Sequence, residues 1–527
     1  MLFRSGDQPI ATTPQSVSLI RNATLRDLGA ASLSSAIRSE TSAGDAYNTL
    51  GYVETIQVRG FTLDNALNFR RDGMRISNHA PMAFENKDSI EILKGVSGTQ
   101  SGVSAPGGLV NYVLKRPTES TLREVTLGVS ERGTTQAHAD LGGRLGGARL
   151  GYRINLAAEE RRPEVNDAPG RRNFLSGFFD FRLPNDALLE AEFEHSRVSQ
   201  RSVPGFGLLD VDGDGQAETL PAPIDPRINL NNQPWSQPFE SINTLGSLRF
   251  SQAFATSWSY GLRYGAQNIR TNDRVAFPDG CSSGQNYLYP GFCGNYDVDI
   301  YDYRSDNERR NTRTADAFVR GELSTGPVKH QVSVGLMRTR YEEGFEPMLA
   351  YNWVGIDNVF NRQVLPGDGT PSVLNTLRDS KSVEMYLTDA MTMGRFSLWV
   401  GLRHTRLARS SVRTDGTEAQ SYEQSFTAPW AAVGYKPWKD GFAYLSFGRG
   451  IETEVVPNQP AYFTNYGAVL PALQSRQFEL GFKQALPGAG LASVVLFDIR
   501  KPFSDDLAQE DQTMLRLANA REARHRG

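Results

Sequence analysis

Apolar and polar residues alternate along most of the chain from about residue 121 onward. Successive side chains of a β-strand point to opposite faces, so this alternation predicts a series of strands that each have one apolar face. The stretches run for about ten residues or more, and a turn or a long loop follows each one. The clearest apolar faces consist of Val125, Leu127 and Val129; Leu189, Ala191 and Phe193; Val332, Val334 and Leu336; Phe396, Leu398, Val400 and Leu402; Ala443, Leu445 and Phe447; and Phe478, Leu480 and Phe482.

The opposite faces of these strands are polar, and one of them is strongly charged. In LEAEFEHS, Glu190, Glu192 and Glu194 share one face, where they would repel one another unless they faced water or cations. Strands of this length, with one apolar face and one polar face towards a water-filled lumen, are typical of a transmembrane barrel. A soluble sheet with a solvated outer face is the alternative.

The connections between the strands alternate in length, as they do in transmembrane barrels with short periplasmic turns and long external loops. Counting the alternating stretches predicts about 16 strands between residues 121 and 520. The predicted short turns lie at 146–148, 184–186 and 254–257, and the predicted long loops lie at 201–239, 274–309, 344–376 and 452–474.

Residues 1–117 follow a different pattern, which combines a helical stretch, LRDLGAASLSSAIR, with isolated apolar strands and Gly-rich turns. This mixture predicts a separate small α+β domain. The predicted fold is therefore mainly β, with a small α+β N-terminal domain at 1–117 and an antiparallel transmembrane β-barrel at 118–527. The boundary lies in KRPT, residues 115–118.

Composition and the lack of known motifs exclude several classes of function. The 56 Lys and Arg and 59 Asp and Glu give a net charge of −3, which provides no basic field for a nucleic-acid partner. No apolar run approaches the roughly 18 residues of a membrane-spanning helix, and the mean hydropathy of −0.43 is compatible with a barrel. The six histidines lie in scattered contexts, and no GxSxG, HExxH, Walker or dinucleotide motif occurs. We therefore expect no enzyme activity and no cofactor.

Two loops carry further chemistry. Cys281 and Cys293 lie in a segment dense in Gly, Pro, Asn and Tyr. We expect a disulfide there, which would require an oxidising compartment, and two free thiols are the alternative. In DVDGDGQAE, Asp210, Asp212 and Asp214 have the oxygen spacing of a calcium loop, although Pro221 stands where a bidentate Glu is needed. Structural Ca²⁺ and a solvated acidic loop both remain open.

Aromatic residues cluster in the long loops, where they could form a pocket for a partly aromatic ligand. Packing within the loops or an interfacial aromatic belt is the alternative. The candidate ligand contacts in these loops are Trp235, Tyr287, Tyr289, Tyr351 and Trp353.

Four motifs occur in order in the N-terminal domain: VRGF (58–61), RDG (71–73), IEILKG (90–95) and APGGLVNYVLKRP (105–117). Together they resemble the plug of TonB-dependent outer-membrane receptors, and most closely the siderophore-receptor branch. In the barrel, RQFELGFK and LFDIRKP resemble late-strand signatures of the same family. The resemblance implies a plug inside a 22-stranded barrel.

The resemblance also implies how the two domains are held together. Arg59 and Lys94 end apolar runs of the plug, and they are expected to pair with Glu residues of the barrel wall, of which Glu479 matches one. Where the family usually has a second Glu, in YLSFGRG, this chain has Arg449. The stripe Glu190, Glu192 and Glu194 is the substitute candidate.

By resemblance, the expected function is uptake of a ferric siderophore across the outer membrane, energised by a TonB-type inner-membrane complex, by a monomer in contact with outer-membrane lipid. The alternatives are a passive porin-like channel, a soluble β adhesin, or a truncated, non-transporting fragment of such a receptor. The position in the plug pattern predicts that Tyr47, Asn48, Asp64, Asn65 and His79 lie in or beside the apical loops.

The two ends of the chain lead to one further expectation. The chain begins within the plug pattern without an export signal, and it ends after about 16 strands where the resemblance implies 22. We therefore expect a sequence that is truncated at both ends and does not form a stable barrel as it stands.

Overall fold

The computed structural model describes residues 9–47, 49–146, 149–214, 216–282, 291–457, 463–466, 468–509 and 513–527. The protein is mainly β. A large antiparallel sheet forms a barrel, and an N-terminal domain of small sheets and short helices, here called the plug, lies inside it. None of the helices in these ranges is long and apolar enough to cross a membrane.

The plug contains two small sheets. The larger is mixed: Lys87–Lys94 pairs antiparallel with Val17–Arg21 and with Gly108–Leu114, and Phe69–Arg71 continues it in parallel. The strands of the plug are Val17–Arg21, Ala43–Tyr47, Thr55–Val58, Phe61–Thr62, Phe69–Arg71, Met74–Ile76, Lys87–Lys94 and Gly108–Leu114. Its helices are Asn22–Asp27, Leu33–Ala36 and Gly98–Ser101, with a 3₁₀ turn at Ile10–Thr12.

The predicted helical stretch of the plug is divided into two short helices. Gly29 adopts a φ of +58° after the first helix, and the N–H of Ala30 donates to the carbonyl of Leu25 at 2.9 Å. This left-handed glycine ends the helix. The helices pack on the larger sheet through Leu25, Leu33 and Ile37, which belong to one apolar core with Ile90 and Val110.

The barrel wall is a succession of strands in which each pairs antiparallel with the next. Its strands within the described ranges are Leu122–Val129, Thr135–Leu145, Leu150–Arg161, Gly170–Arg182, Leu188–Gln200, Phe239–Ala255, Trp258–Pro278, Asp297–Thr325, Val328–Gly344, Thr376–Met393, Phe396–Arg413, Gln420–Tyr435, Gly441–Glu452, Leu473–Leu486, Gly490–Ala508 and Met514–Arg526. These sixteen strands equal the number predicted from the alternation, and two further segments, Met348–Asn358 and Val373–Leu374, also enter the barrel order.

The two faces of the strands are those that the alternation predicted. On Leu473–Leu486, Phe478 and Leu480 are 54% and 53% exposed on the outer surface, whereas Glu479 between them is 1% exposed. Likewise Phe193 is exposed and Glu194 is fully buried. The apolar side chains therefore face outward, and the carboxylates face the lumen and the plug.

The first and last strands of the wall lie next to each other in the barrel order. The wall therefore closes on itself as a barrel.

Two of the predicted long loops contain strand structure. Trp258–Pro278 and Asp297–Thr325 continue into the segment 274–309, and Met348–Asn358 lies within 344–376. The register shifts at a bulge between Thr271 and Asp273, which interrupts the period-two pattern and hides the strands from sequence analysis.

The outer ends of these strands support a cap of loops with its own apolar core. Leu209, Leu230, Phe292, Ile300 and Val359 form the centre of this core. It also includes a short parallel pairing of Leu209–Asp210 with Phe292–Cys293. All the long connections lie at this end of the barrel, which we call the apical end.

Candidate functional site

The plug is joined to the wall by a buried ion pair. Arg59 and Gly60 form a two-residue turn between Thr55–Val58 and Phe61–Thr62, with φ values of +52° and +78° that suit a type I′ hairpin. The turn places Arg59 at the tip of the hairpin. Its Nη1 lies 2.7 Å from Oε2 of Glu479, and the two side chains are 2% and 1% exposed.

Further hydrogen bonds saturate the carboxylate of Glu479. Its Oε1 accepts from the hydroxyl of Tyr444 at 2.7 Å and from the backbone N–H of Ser16 at 2.9 Å. Two residues earlier on the same luminal face, Oε1 of Gln477 accepts from the N–H of Val96 at 3.0 Å. One short stretch of the wall therefore binds three separate segments of the plug.

Lys94 does not contact the wall, contrary to the sequence prediction. Its ammonium lies 2.7 Å from Oε1 of Glu40 within the plug, because the strand Lys87–Lys94 ends against the segment that carries Glu40. Burial acts to raise the pKa of Glu40, but hydrogen bonds from Lys94 and Ser18 outweigh it and hold the pKa at about 2. The sequence also differs from the family pattern at Arg449, where a Glu is usual. The side chain of Arg449 is exposed, and Gly448 and Gly450 occupy the buried positions on either side of it.

The acidic stripe of the wall takes the place of the missing Glu. Oε2 of Glu194 lies 2.8 Å from the ammonium of Lys87 and 3.2 Å from Nη2 of Arg71. Glu192 also pairs with Arg71, and Glu190 lies 3.2 Å from Arg116. Burial lowers the pKa of Lys87 to about 8 against the opposing effect of Glu194.

Sequence analysis missed several other contacts between the plug and the wall. Arg403 of the wall is 2.5 Å from Glu384, and its Nε donates to the carbonyl of Thr99 in the plug at 2.7 Å. Lys483 donates to three plug carbonyls, and Arg172 pairs with Glu85. No local motif marks these residues, because their partners lie far away in the sequence.

At the apical end of the plug, His79 is fixed against the wall. Its Nδ1 lies 2.7 Å from Oγ of Ser77. The backbone N–H of Ser77 donates to Oε1 of Gln267 at 2.7 Å, and Nε2 of Gln267 donates back to the carbonyl of Ser77 at 2.9 Å. Burial, and then the positive charge of Arg310, lowers the pKa of His79 to about 4, so the imidazole is neutral at pH 7.

The other plug residues predicted at the apex have different surroundings. Tyr47 ends a strand and is 47% exposed. Asp64 Oδ1 accepts from the N–H groups of Ala66 and Leu67 at 2.7 and 3.1 Å, and Asn65 Nδ2 donates to Thr55 Oγ1 at 3.3 Å. Asp64 and Asn65 therefore shape the turn, and Asn48 lies outside the described residues.

A group of carboxylates and tyrosines lines the wall next to this apex. Glu308 accepts from Arg310 Nη1 at 2.9 Å and from Thr271 Oγ1 at 3.0 Å. Glu343 accepts from the hydroxyl of Tyr341 at 2.8 Å and from Arg378 Nη1 at 3.0 Å. These two carboxylates therefore each have a guanidinium as partner.

The loop aromatics divide into two sets. Tyr351 stacks on Tyr301 with ring centroids 4.6 Å apart, and its hydroxyl donates to Asp279 Oδ2 at 2.6 Å. Trp353 is on the same strand and is 53% exposed. Trp235 instead packs in the loop core and donates to the carbonyl of Leu365 at 3.1 Å, so it supports the cap. Tyr287 and Tyr289 lie outside the described residues.

The loop cap contains the disulfide and the acidic loop. Cys281 and Cys293 are bonded to each other, which joins the end of one wall strand to the cap. Asp210, Asp212 and Asp214 bring one carboxylate oxygen each within 4.8 Å of the others. Asp210 Oδ1 also accepts from the N–H of Gly213 at 2.8 Å. Calcium binding here stays a prediction.

Comparison with known protein families accounts for this arrangement. Residues 9–109 match the TonB-dependent receptor plug domain, and residues 177–527 match the β-barrel of TonB-dependent receptors. The second match covers more than half of the chain.

Curated relatives are similar over most of the chain. The ferrichrome outer membrane transporter/phage receptor of Escherichia coli K12 is 23% identical over 512 residues, which are 90% of this chain and 65% of that protein. The ferric-pyoverdine M114 receptor PbuA of Pseudomonas sp. M114 is 24% identical over 540 residues, which are 96% and 61% of the two chains. The chain therefore spans less than two thirds of the length of these relatives.

Solved structures share the fold. The ferric preacinetobactin receptor BauA of Acinetobacter baumannii superposes with a TM-score of 0.84 at 20% identity, over 98% of this chain and 76% of that one. The ferripyoverdine receptor of Pseudomonas aeruginosa bound to ferripyoverdine gives 0.78 at 16% identity, over 97% and 67%. These structures show the fold. Because the family models match residues 9–109 and 177–527, the chain belongs to the TonB-dependent receptors, a family of outer-membrane transporters, not enzymes, that is related to siderophore receptors.

Proposed function

We propose that this chain is the plug and barrel of an outer-membrane receptor that binds a ferric siderophore at its apical end. A TonB-type energy-transducing complex of the inner membrane then displaces the plug, and the chelate passes inward. The observation that carries this proposal is a plug inside the barrel that buried ion pairs hold to the wall, Arg59 with Glu479 and Lys87 with Glu194.

The chemistry of the apical end supports binding of an organic chelate. Tyrosine rings, a neutral imidazole and hydrogen-bonding carboxylates converge around the plug apex. Ligand sites combine apolar or aromatic area with a few placed polar groups in this way. The names of the relatives, which include receptors for ferrichrome and pyoverdine, support the same ligand class.

The contacts between plug and wall support a plug that moves. They include buried ion pairs and hydrogen bonds, which water can replace when the groups separate. Water could not replace the contacts of a large apolar interface in this way. We further propose that the division of the chain falls after Pro117, between the last plug strand, Gly108–Leu114, and the first wall strand, Leu122–Val129.

The proposal is tested by ligand titration of the chain purified in detergent. Intrinsic tryptophan fluorescence is recorded against a panel of ferric trihydroxamates and ferric tris-catecholates, with each iron-free chelator as the matched control. We expect saturable quenching by at least one ferric complex and a much weaker response to its iron-free form. Absence of saturable binding across the panel would contradict a siderophore receptor.

A passive channel is the rival function, and conductance separates the two. Because the plug fills the lumen, the chain reconstituted in planar bilayers should be nearly silent. A steady, ohmic conductance of the unmodified chain would favour a porin-like channel.

A further inference from the structure

Asp273 is a buried carboxylate of the apical wall that has no guanidinium partner among the described residues. It lies on the luminal face of Trp258–Pro278, opposite Ser305, and is 7% exposed. Atom Oδ1 is buried and has no hydrogen-bond partner in the described part of the chain. A buried carboxylate oxygen without a hydrogen bond raises the free energy of the folded protein. A bound ligand that donates a hydrogen bond to this oxygen would remove that cost.

The neighbouring charges do not neutralise Asp273. Glu308 is paired with Arg310, and Asp306 is paired with Arg274 at 2.8 Å. Glu343 is paired to Arg378. Burial, and then the charge of Glu308, raises the pKa of Asp273 to about 7, so a fraction of this carboxylate is negative at pH 7. This negative form is an excess charge, because Asp273 has no guanidinium partner among the described residues.

Aromatic rings lie on the strands next to this position. Tyr303 lies two positions from Ser305 on the facing strand, and its ring is 6.2 Å from that of Tyr351, which stacks on Tyr301. From the plug side, Tyr52 packs edge-on against Phe239 with centroids 4.9 Å apart. Phe239 precedes Glu240, which pairs with Asn272 in the wall, so this contact places the plug apex beside Asp273. Burial, and then the charge of Asp273, raises the pKa of Tyr52.

A carboxylate among aromatic faces is a setting that favours organic cations. The ring faces attract a positive charge, and the carboxylate accepts its N–H groups. A highly anionic chelate would meet an excess negative charge instead. We propose that Asp273, with the rings of Tyr303 and Tyr351, binds a protonated amine of the ligand, so that the receptor selects a cationic ferric chelate over an anionic one. This inference rests on the proposed function.

The test uses two chelates that differ only in this charge. One is the ferric complex of a linear trihydroxamate with a free primary amine, and the other is its N-acetylated derivative. A ferric tris-catecholate is the anionic probe. Binding to the full chain in detergent is measured by tryptophan fluorescence. We expect the amine form to bind about tenfold more tightly than the acetylated form, the effect of one charge-assisted hydrogen bond, and the tris-catecholate to bind most weakly.

Variants at two positions identify the residues. Asp273→Asn should lower affinity for the amine form about tenfold and leave the acetylated form unchanged. Tyr303→Leu should weaken binding of the amine form, and Tyr303→Phe should retain it because the ring face persists. Asp440→Asn removes the same charge at an exposed turn at the other end of the barrel, and it is the matched control.

The outcomes distinguish this inference from the proposed function. Equal affinity for the two trihydroxamates, or an equal loss for both in Asp273→Asn, overturns the role of Asp273 while the receptor function stands. Tighter binding of the tris-catecholate than of the amine form overturns the cation preference in the same way. Failure of every ferric chelate to bind the unmodified chain contradicts the proposed function itself.

Discussion

The guanidinium of Arg59, at the tip of a plug hairpin, lies 2.7 Å from the carboxylate of Glu479 on the barrel wall, and both side chains are almost fully buried. Two charges so far from water are stable only as a pair, since either one alone would be left without compensation. The ring of Phe497 lies 4.1 Å from the same guanidinium. This contact therefore links the position of the plug to the shape of the wall.

Removal of either partner should loosen the plug. Arg59→Ala or Glu479→Ala is expected to cost about 3 to 5 kcal/mol of plug stability, because the remaining charge is buried and unpaired. The measurement is limited proteolysis of the plug in detergent, together with bilayer conductance, which should rise from near zero. The double variant should cost less than the sum of the two single variants.

The wall supplies a matched control for that experiment. Arg406 and Glu423 also form an ion pair, at 2.8 Å, but on the outer surface with side chains 66% and 59% exposed. Arg406→Ala should therefore change stability by less than about 1 kcal/mol. Similar effects of Arg59→Ala and Arg406→Ala would show that the buried pair does not hold the plug.

The fold could be predicted from the sequence wherever the alternation of apolar and polar residues reflects which side chains face lipid and which face the lumen. The alternation around Leu480 separates lipid from lumen at every second residue, and sixteen strands follow from it. The pattern failed near Asp273, where a bulge breaks the period. The contact of Arg59 with Glu479 was accessible only through the family resemblance, because nothing in the local sequence of a charged residue identifies a distant partner.

Lys483 should anchor the start of the plug. Its ammonium donates to the carbonyl oxygens of Ile10, Thr13 and Gln15 at 2.9, 2.7 and 2.7 Å. Lys483→Met removes these bonds, each worth about 1.5 to 3 kcal/mol when the donor is charged. We expect cleavage of the segment before residue 16 to be at least about tenfold faster.

The control for Lys483 is a lysine on an exposed turn of the same barrel. Lys439→Met removes an ammonium from a fully solvated position and should leave the proteolysis rate unchanged. Unchanged cleavage in Lys483→Met would mean that other contacts, such as the bond from Ser16 to Glu479, suffice to hold the segment.

The free-energy cost of a charged side chain on the outer face of Leu473–Leu486 should depend on its depth in the membrane. Leu480 is 53% exposed in the apolar band, so Leu480→Arg should cost about 2 to 4 kcal/mol near the membrane centre. Gln474 lies on the same face near the apical end of the strand, and Gln474→Arg should cost about 1 kcal/mol or less. Urea unfolding in detergent or lipid measures both, and equal costs would contradict the assigned membrane position.

The candidate site was less predictable than the fold. The alternation indicates only that Gln477 faces the lumen, whereas in the structure it accepts from Val96 and contacts Arg59. Lys94 was expected to reach the wall, but it pairs with Glu40. Both differences arise from contacts between residues that are far apart in the sequence. These contacts form only in the folded protein.

The imidazole of His79 should make the plug apex sensitive to acid. Burial and the charge of Arg310 lower its pKa from 6.5 to about 4 in the folded protein. The unfolded chain therefore binds more protons at His79 between pH 6.5 and about 4, and the stability that the neutral imidazole supports is lost as the pH falls through this window. The loss cannot exceed about 3 kcal/mol for one such group.

His79→Gln should reduce this acid sensitivity, because glutamine retains a polar side chain beside Ser77 but does not titrate. The measurement is the urea midpoint of plug release at several pH values between 7 and 4, followed by proteolysis. Wild type should lose more stability than the variant, and the difference should grow as the pH falls from 6.5 to about 4. His404→Gln, on the outer face beside Thr427, is the matched control and should follow the wild-type profile. Carboxylates that also titrate in this range affect all three proteins equally, so only the difference reports on His79. Parallel profiles for wild type and His79→Gln would show that the imidazole does not couple the apex to pH.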